Sequence, residues 1–191
     1  MDPDTAHGRL SLSEGNRKAT WREPQPYPDH PGRFDYWPQV VCREALTRRC
    51  YWEAEWNGFS VMAVTYKGIR RKGKSDDGRY TLNVQSWGLW CFDFYYAARH
   101  NRHSTEIAIP PSDAHRVGVY LDWPSGTVSF YSISSDTHTL THLHTFHSTF
   151  TEPLYAGFGF GLVLADAGLG ATDSQIQKLR KREFFLSIKD L

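Results

Sequence analysis

Four histidines, His138, His142, His144 and His147, fall within ten residues of one another. On a strand, His142 and His144 would share a face, where two imidazoles could hold zinc. A catalytic zinc needs a third protein ligand, and no cysteine or carboxylate stands at ligand spacing beside them. They read as surface imidazoles on an edge strand, so no metal and no cofactor is expected. Glu53 and Glu55 also share a strand face, and paired carboxylates can run glycoside chemistry. Strand glutamates near bases such as Arg43, Arg48 or Arg49 more often form cross-strand ion pairs, and that is the expectation. Cys42, Cys50 and Cys91 show no metal-ligand spacing and read as buried, reduced thiols of a cytoplasmic protein. No nucleophile elbow, phosphate loop, dinucleotide fingerprint or HExxH motif occurs, and no catalytic residue is assigned.

The basic run Arg70, Arg71, Lys72 and Lys74 could touch nucleic acid, but Asp76 and Asp77 follow and largely cancel it. A solvated loop with a role in protein recognition is the better reading. The whole chain agrees. Its 191 residues carry 22 basic and 21 acidic side chains, a net charge of +1, so no field of one sign draws in nucleic acid or anionic membrane. Nothing approaches an apolar run of ~18 residues, and the start is polar, so neither a membrane span nor a signal peptide is expected.

The elements that must position these residues are strands. In CYWEAEWN, Cys50, Trp52, Ala54 and Trp56 fall on one face, and Tyr51, Glu53 and Glu55 on the other. Asn57-Gly58 reads as a tight turn into a second strand from Val61 to Tyr66, giving a hairpin. Two indoles on one face need a second sheet to cover them, which implies a sandwich. Short strands are expected at Arg9–Ser13, Ala19–Trp21 and Val40–Cys42, around a turn at Glu14-Gly15-Asn16. Five prolines between 23 and 38 forbid helix or central strand there, leaving a wrapping loop pinned by Tyr27, Phe34, Tyr36 and Trp37.

Residues 67–79 read as an exposed loop, and Leu82–Val84 as a short strand. SWGLWCFDFYY, 86–96, reads as one aromatic strand with Trp90, Phe92 and Phe94 on one face. Residues 97–106 read as a polar loop carrying Arg99, with Ile107–Ile109 pairing briefly after it. A hairpin is expected over 116–133, turning at Pro124-Ser125-Gly126, with further strands over 139–146 and Leu154–Phe160. Leu162–Leu164 reads as a last strand. Residues 172–188 look helical, with Thr172 or Asp173 as the cap and Ile176, Leu179, Phe184 and Ile188 roughly on one side; the competing reading is a variant or splice-altered end that does not pack well. The fold class is therefore all-β, a two-layer antiparallel β-sandwich with a short C-terminal helix.

Three ordered stretches resemble signatures of the PRY-SPRY family. WEAE at 52–55 is similar to its WEVE motif, MDPDTAH at 1–7 to its LDP opening, and YLDWPSGTVSFY at 120–131 to its LDYEAG hairpin. The resemblance runs to about residue 160 and implies a concanavalin-like jelly roll. The PRY part would cover about 1–48, the SPRY part about 49–165, fused without a linker, and 166–191 would form a divergent tail. It implies a non-catalytic domain that captures a protein ligand. The parent would be a tripartite-motif ubiquitin ligase or a fish NLR-type immune sensor, with a fish pore-forming toxin subunit as the alternative. Because the chain starts on the LDP motif, it is expected to be either a cut-out fragment or a truncated gene product, with any oligomerisation in other regions. Carried over by motif, the partner site comprises Arg70, Arg71, Lys72 and Asp76 of the first loop, Trp87, Trp90 and Phe92 of the aromatic strand, and Phe158. Arg99 joins them from the 97–106 loop. Plain core packing is the competing reading for each aromatic.

Overall fold

Strand β4 (Arg49–Asn57) shows why this chain stacks in two layers. Trp52, Ala54 and Trp56 alternate along it and are all buried, while Tyr51, Glu53 and Glu55 point outward. A computed structural model describes residues 1–108, 115–161 and 185–189. The other strands are β1 (Leu10–Ser13), β2 (Lys18–Trp21), β3 (Gln39–Val41), β5 (Ser60–Tyr66), β6 (Ser86–Cys91), β7 (Tyr96–His100), β8 (His103–Ile107), β9 (Arg116–Asp122), β10 (Thr127–Ile133), β11 (Leu140–His147), β12 (Leu154–Phe160) and β13 (Phe185–Lys189). A seven-stranded sheet runs β1-β2-β13-β4-β9-β10-β11, and a six-stranded sheet runs β3-β12-β5-β6-β7-β8. Neighbouring strands in both sheets are antiparallel. Helix among the described residues is limited to one 3-10 turn, Asp76–Gly78. The molecule is a two-layer antiparallel β-sandwich.

The main core lies between the sheets. Trp52, Trp56, Val119, Leu121 and Phe130 of one layer meet Met62, Val64, Trp87, Leu89 and Phe158 of the other. A second, smaller cluster lies on the outer face of the six-stranded sheet, where Phe34, Ile69 and Tyr80 from the covering loops pack on Val61, Ala63, Trp90 and Ala97. That outer cluster is what makes the two sheets unequal.

Four expectations change. First, β4 and β5 are not a hairpin. They belong to different sheets, and Asn57-Gly58-Phe59 is a corner between the layers, with Gly58 at φ 74°. The inward faces of β4 and β5 meet across the core, so each finds its backbone partners sideways, β13 and β9 for one, β12 and β6 for the other. Second, the aromatic run 86–96 breaks at Phe92–Tyr95, where the Phe92 N–H donates to the Tyr95 carbonyl at 3.0 Å. Third, 97–106 is not a loop. It forms most of β7 and most of β8, joined through Asn101 and Arg102 at φ 47° and 66°. Leu82–Val84 in turn is not a strand. Fourth, the helix expected over 172–188 fails at its end: Phe185–Lys189 is a strand pairing with both β2 and β4, and Leu186 and Ile188 face the core. Residues 172–184 and Leu162–Leu164 lie outside the described residues.

Candidate functional site

The outer face of the six-stranded sheet is built around Trp90. Its ring lies on the face opposite Trp87 and Leu89, as alternation along β6 requires. The neighbouring outward position on β6 is Gly88, which pairs with Arg99 on β7. A side chain at Gly88 would meet the Met62 carbonyl oxygen at 2.5 Å and the Thr81 Cγ2 at 2.9 Å. Gly88 therefore lets the 79–83 segment lie down on the sheet, with Arg99 opposite. Thr81 holds that segment in place. Its N–H donates to Ser86 Oγ at 2.7 Å, and its Oγ1 accepts the Trp90 indole N–H at 2.9 Å. Its φ is 72°, an outlier for a β-branched residue, and it is fully buried, so surrounding contacts must hold the strain.

Two guanidiniums share the Trp90 ring. Arg99 lies 3.8 Å from its centroid and Arg79 lies 5.0 Å away. Arg79 also lies 4.6 Å from the Trp37 ring, whose indole N–H donates to the Ser75 carbonyl at 3.0 Å. Burial pushes the pKa of both arginines down; in Arg79 Asp76 opposes that push and the Arg99 charge adds to it. Guanidinium is too strong a base to lose its proton, so the fall expresses lost hydration. Among the described residues neither arginine has a carboxylate within ion-pair distance. Beside them, Phe92 stacks between Phe59 at 4.5 Å and Tyr95 at 4.3 Å, and Phe94 at the turn tip is 85% exposed. Trp37, Gln39, Phe59, Arg79 and Trp90 line a small recess between the two groups.

The residues expected at the site divide three ways. Trp90, Phe92 and Arg99 lie together on this face. Trp87 and Phe158 are buried between the sheets, where no partner can touch them, so for these two the core-packing reading holds. The first loop is tied down rather than free. Lys72 reaches Asp29 at 3.3 Å and the His30 carbonyl at 3.0 Å, and Arg70 donates to the Lys72 carbonyl at 2.9 Å. Arg71 lies 4.6 Å over Phe34 and donates to the Lys67 carbonyl, an anchoring role beneath the loop. Asp76 receives Arg102 at 3.1 Å. Trp37 and Arg79 were missed. Trp37 is 53 positions from Trp90 in the chain, and no local pattern links them.

The other candidates settle into structure. Glu55 and Glu53 bracket Arg116 of β9 at 2.8 and 3.7 Å. The expected cross-strand pairing is present, but with Arg116 rather than Arg43, Arg48 or Arg49; Arg49 pairs with Asp122 at 2.8 Å. His142 lies 2.8 Å from Thr145 Oγ1, and His144 packs 4.4 Å from the Phe146 ring. Cys42 and Cys91 are buried and free; burial raises the Cys42 thiol to about 11 and also raises Cys91. Neither forms a thiolate readily.

Comparison with known proteins adds the family context. The family model described as PRY, a SPRY-associated domain, matches residues 1–46, and that of the SPRY domain matches residues 49–172. Stonustoxin subunit beta of Synanceia horrida is 41% identical over 84% of this chain and 23% of its own length. Tripartite motif-containing protein 16 of Mus musculus is 39% identical over 83% of this chain and 28% of its own. The chain thus spans about a quarter of the length of these relatives. Among solved structures, the crystal structure of the TRIM65 PSpry domain superposes with a TM-score of 0.77 at 23% identity, covering all of this chain and 88% of that one.

Proposed function

Because this chain belongs to the PRY-SPRY family, we propose that it is a non-catalytic recognition domain that captures a protein through the outer face of its six-stranded sheet. The observation that carries this is the Arg79–Trp90–Arg99 stack beside the Phe92–Tyr95 turn. Desolvated arginine and aromatic rings on a rigid sheet, with Phe94 exposed at the turn tip, are the kinds of side chain that dominate protein interfaces. Rigidity also lowers the entropy lost on binding. The partner is a protein rather than nucleic acid or membrane, since Asp35, Asp76 and Asp77 lie among the basic loop residues and the net charge is +1. The domain works in the cytoplasm as the target-sensing part of a tripartite-motif ligase or NLR-type sensor, and any ligase chemistry lies in other parts of the parent protein. The identity to stonustoxin subunit beta supports a second reading, in which the same face serves a toxin subunit.

Photo-crosslinking tests the location. A benzoylphenylalanine at Phe94 and another at Tyr120 on the opposite sheet present equal probes on the two faces. Proteins captured at Phe94 and absent at Tyr120 support the reading. Equal capture at both sites, or capture at Tyr120 alone, removes it.

A further inference from the structure

The unused donors on this face have a chemistry of their own. Stacking on an indole occupies the flat face of a guanidinium and leaves its edge N–H groups free to donate. Arg79 donates no side-chain hydrogen bond to the described residues, and Arg99 donates only its Nε–H, to Ser104 Oγ at 3.1 Å. Two positive groups have thus been drawn out of water onto one ring with no anion between them. Nearby carboxylates are already engaged: Asp76 with Arg102, Asp35 with the Gly73 N–H at 2.7 Å, and Asp77 with Ser75 Oγ at 3.0 Å. The neighbouring cations are engaged too, Lys72 with Asp29 and Arg71 on Phe34. The arrangement fits an arriving carboxylate, which would accept from both guanidinium edges and relieve their mutual repulsion.

We propose that Arg79 and Arg99, held on Trp90, form a subsite for an Asp or Glu side chain of the captured protein, with an adjacent apolar side chain of that segment lying on Phe92 and Tyr95. This rests on the reading of the same face as the partner surface. Charge complementarity selects a single carboxylate over a polyanion. Asp76 stands close enough to act on Arg79, and Glu106 on Arg99, so a string of phosphates would meet negative charge on either side. The aromatic floor beside the arginines selects an apolar neighbour in the same segment.

The test is selection of end-blocked random 12-residue peptides on the full 191-residue chain. Enriched peptides are expected to carry Asp or Glu at one fixed position, with an aromatic or aliphatic residue within two positions. Changing that residue to Asn or Gln should weaken binding about tenfold or more, the scale of a lost charge-assisted pair. Arg79→Gln and Arg99→Gln should each cause a similar loss, while Arg48→Gln, an equal change of charge in the bend just before β4, should cause none. Thermal unfolding of each variant checks that the fold survives. The subsite is overturned by enrichment without an acidic position, by an acidic preference that survives both arginine variants, or by no enrichment. Tighter binding of phosphatidylserine vesicles or of a dT oligonucleotide at these arginines overturns it as well. Neutral peptides that lose binding in Phe92→Ala would end the carboxylate assignment and keep the partner face; peptides that map to the opposite sheet would end both.

Discussion

The two outer faces of this sandwich solve the same problem in opposite ways. On the seven-stranded sheet the charges at the centre find their counter-charges within the sheet, while Lys18 of β2 reaches Glu14 in the β1–β2 turn and lies over Phe185. Arg116 sits between Glu53 and Glu55, Arg49 meets Asp122, and the Tyr51 hydroxyl donates to Glu53 at 2.9 Å. Gly118 leaves room for the Tyr51 ring, whose hydroxyl lies 2.7 Å from where a Cβ would stand. On the six-stranded sheet the cations lie on rings instead. Arg79, Arg99 and Arg71 cover Trp90, Trp37 and Phe34 without a carboxylate at ion-pair distance among the described residues. Glycine makes room in both places, at Gly118 for a neighbour's ring and at Gly88 for a loop. One face matches its central charges internally, whereas the other leaves guanidinium donors unused among the described residues.

Substitutions can break that contrast. Trp90→Ala should have the largest effect, about 3–5 kcal/mol of stability, because it removes a buried indole and the platform of both arginines. Urea unfolding reads this directly, and Trp90→Phe should recover most of it, losing about 1 kcal/mol for the bond to Thr81. A Trp90→Ala protein as stable as the parent would show that the outer cluster is not a core. Arg116→Gln should cost about 1–2 kcal/mol, between the exposed and buried limits, since it leaves two carboxylates facing each other. Urea unfolding reads the loss, and peptide binding should not change. Arg71→Ala should cost about 1 kcal/mol, as a partly desolvated cation–π contact does, and its melting temperature checks this. An Arg71→Ala protein of unchanged stability that has lost binding would instead place Arg71 in the contact surface.

The smallest effect concerns the border where the two sheets meet. His100 stacks on Trp87 at 4.7 Å, and His144 shares Phe146 with it. Burial holds both imidazoles, and His7, below the ordinary histidine value of 6.5. The unfolded chain therefore takes up protons first as pH falls. Stability from these groups is full above about 6.5 and declines as pH drops from there through the depressed folded values. Urea midpoints across that window should fall, and His100→Gln should flatten the slope. A midpoint that rises on acidification would contradict the sign.

Much of the frame was legible in single strands. The alternation of β4, the β9–β10 turn at Pro124-Ser125-Gly126 and the proline-rich wrapping loop stand where periodicity and turn chemistry put them. What escaped depends on distant partners. Nothing inside residues 50–66 says that β4 and β5 will pair sideways instead of with each other. The Phe92–Tyr95 turn contains no glycine or proline, so a run of aromatics concealed it. The β7–β8 turn was readable, since Asn101 tolerates a positive φ, but its polar flanks suggested a loop. In Phe185–Lys189 the alternation of Leu186 and Ile188 carried the strand signal, and a helical reading of the preceding residues overrode it. Of the residues carried over by family resemblance or taken from the 97–106 stretch, Trp90, Phe92 and Arg99 fall on this outer face. Arg79 was not among them, because its role comes from the descent of residues 79–83 onto Gly88.

Strand β13 lies between β2 and β4, so among the described residues the β1–β2 hairpin joins the rest of its sheet only through residues 185–189. On the ribosome that layer must therefore wait: among the described residues β2 has no sheet partner besides β1 until residues 185–189 have been made. Joining chain segments so remote slows assembly and leaves unpaired edges in the interval. Until then the edges of β2 and β4 that β13 covers stand open to pairing with another chain.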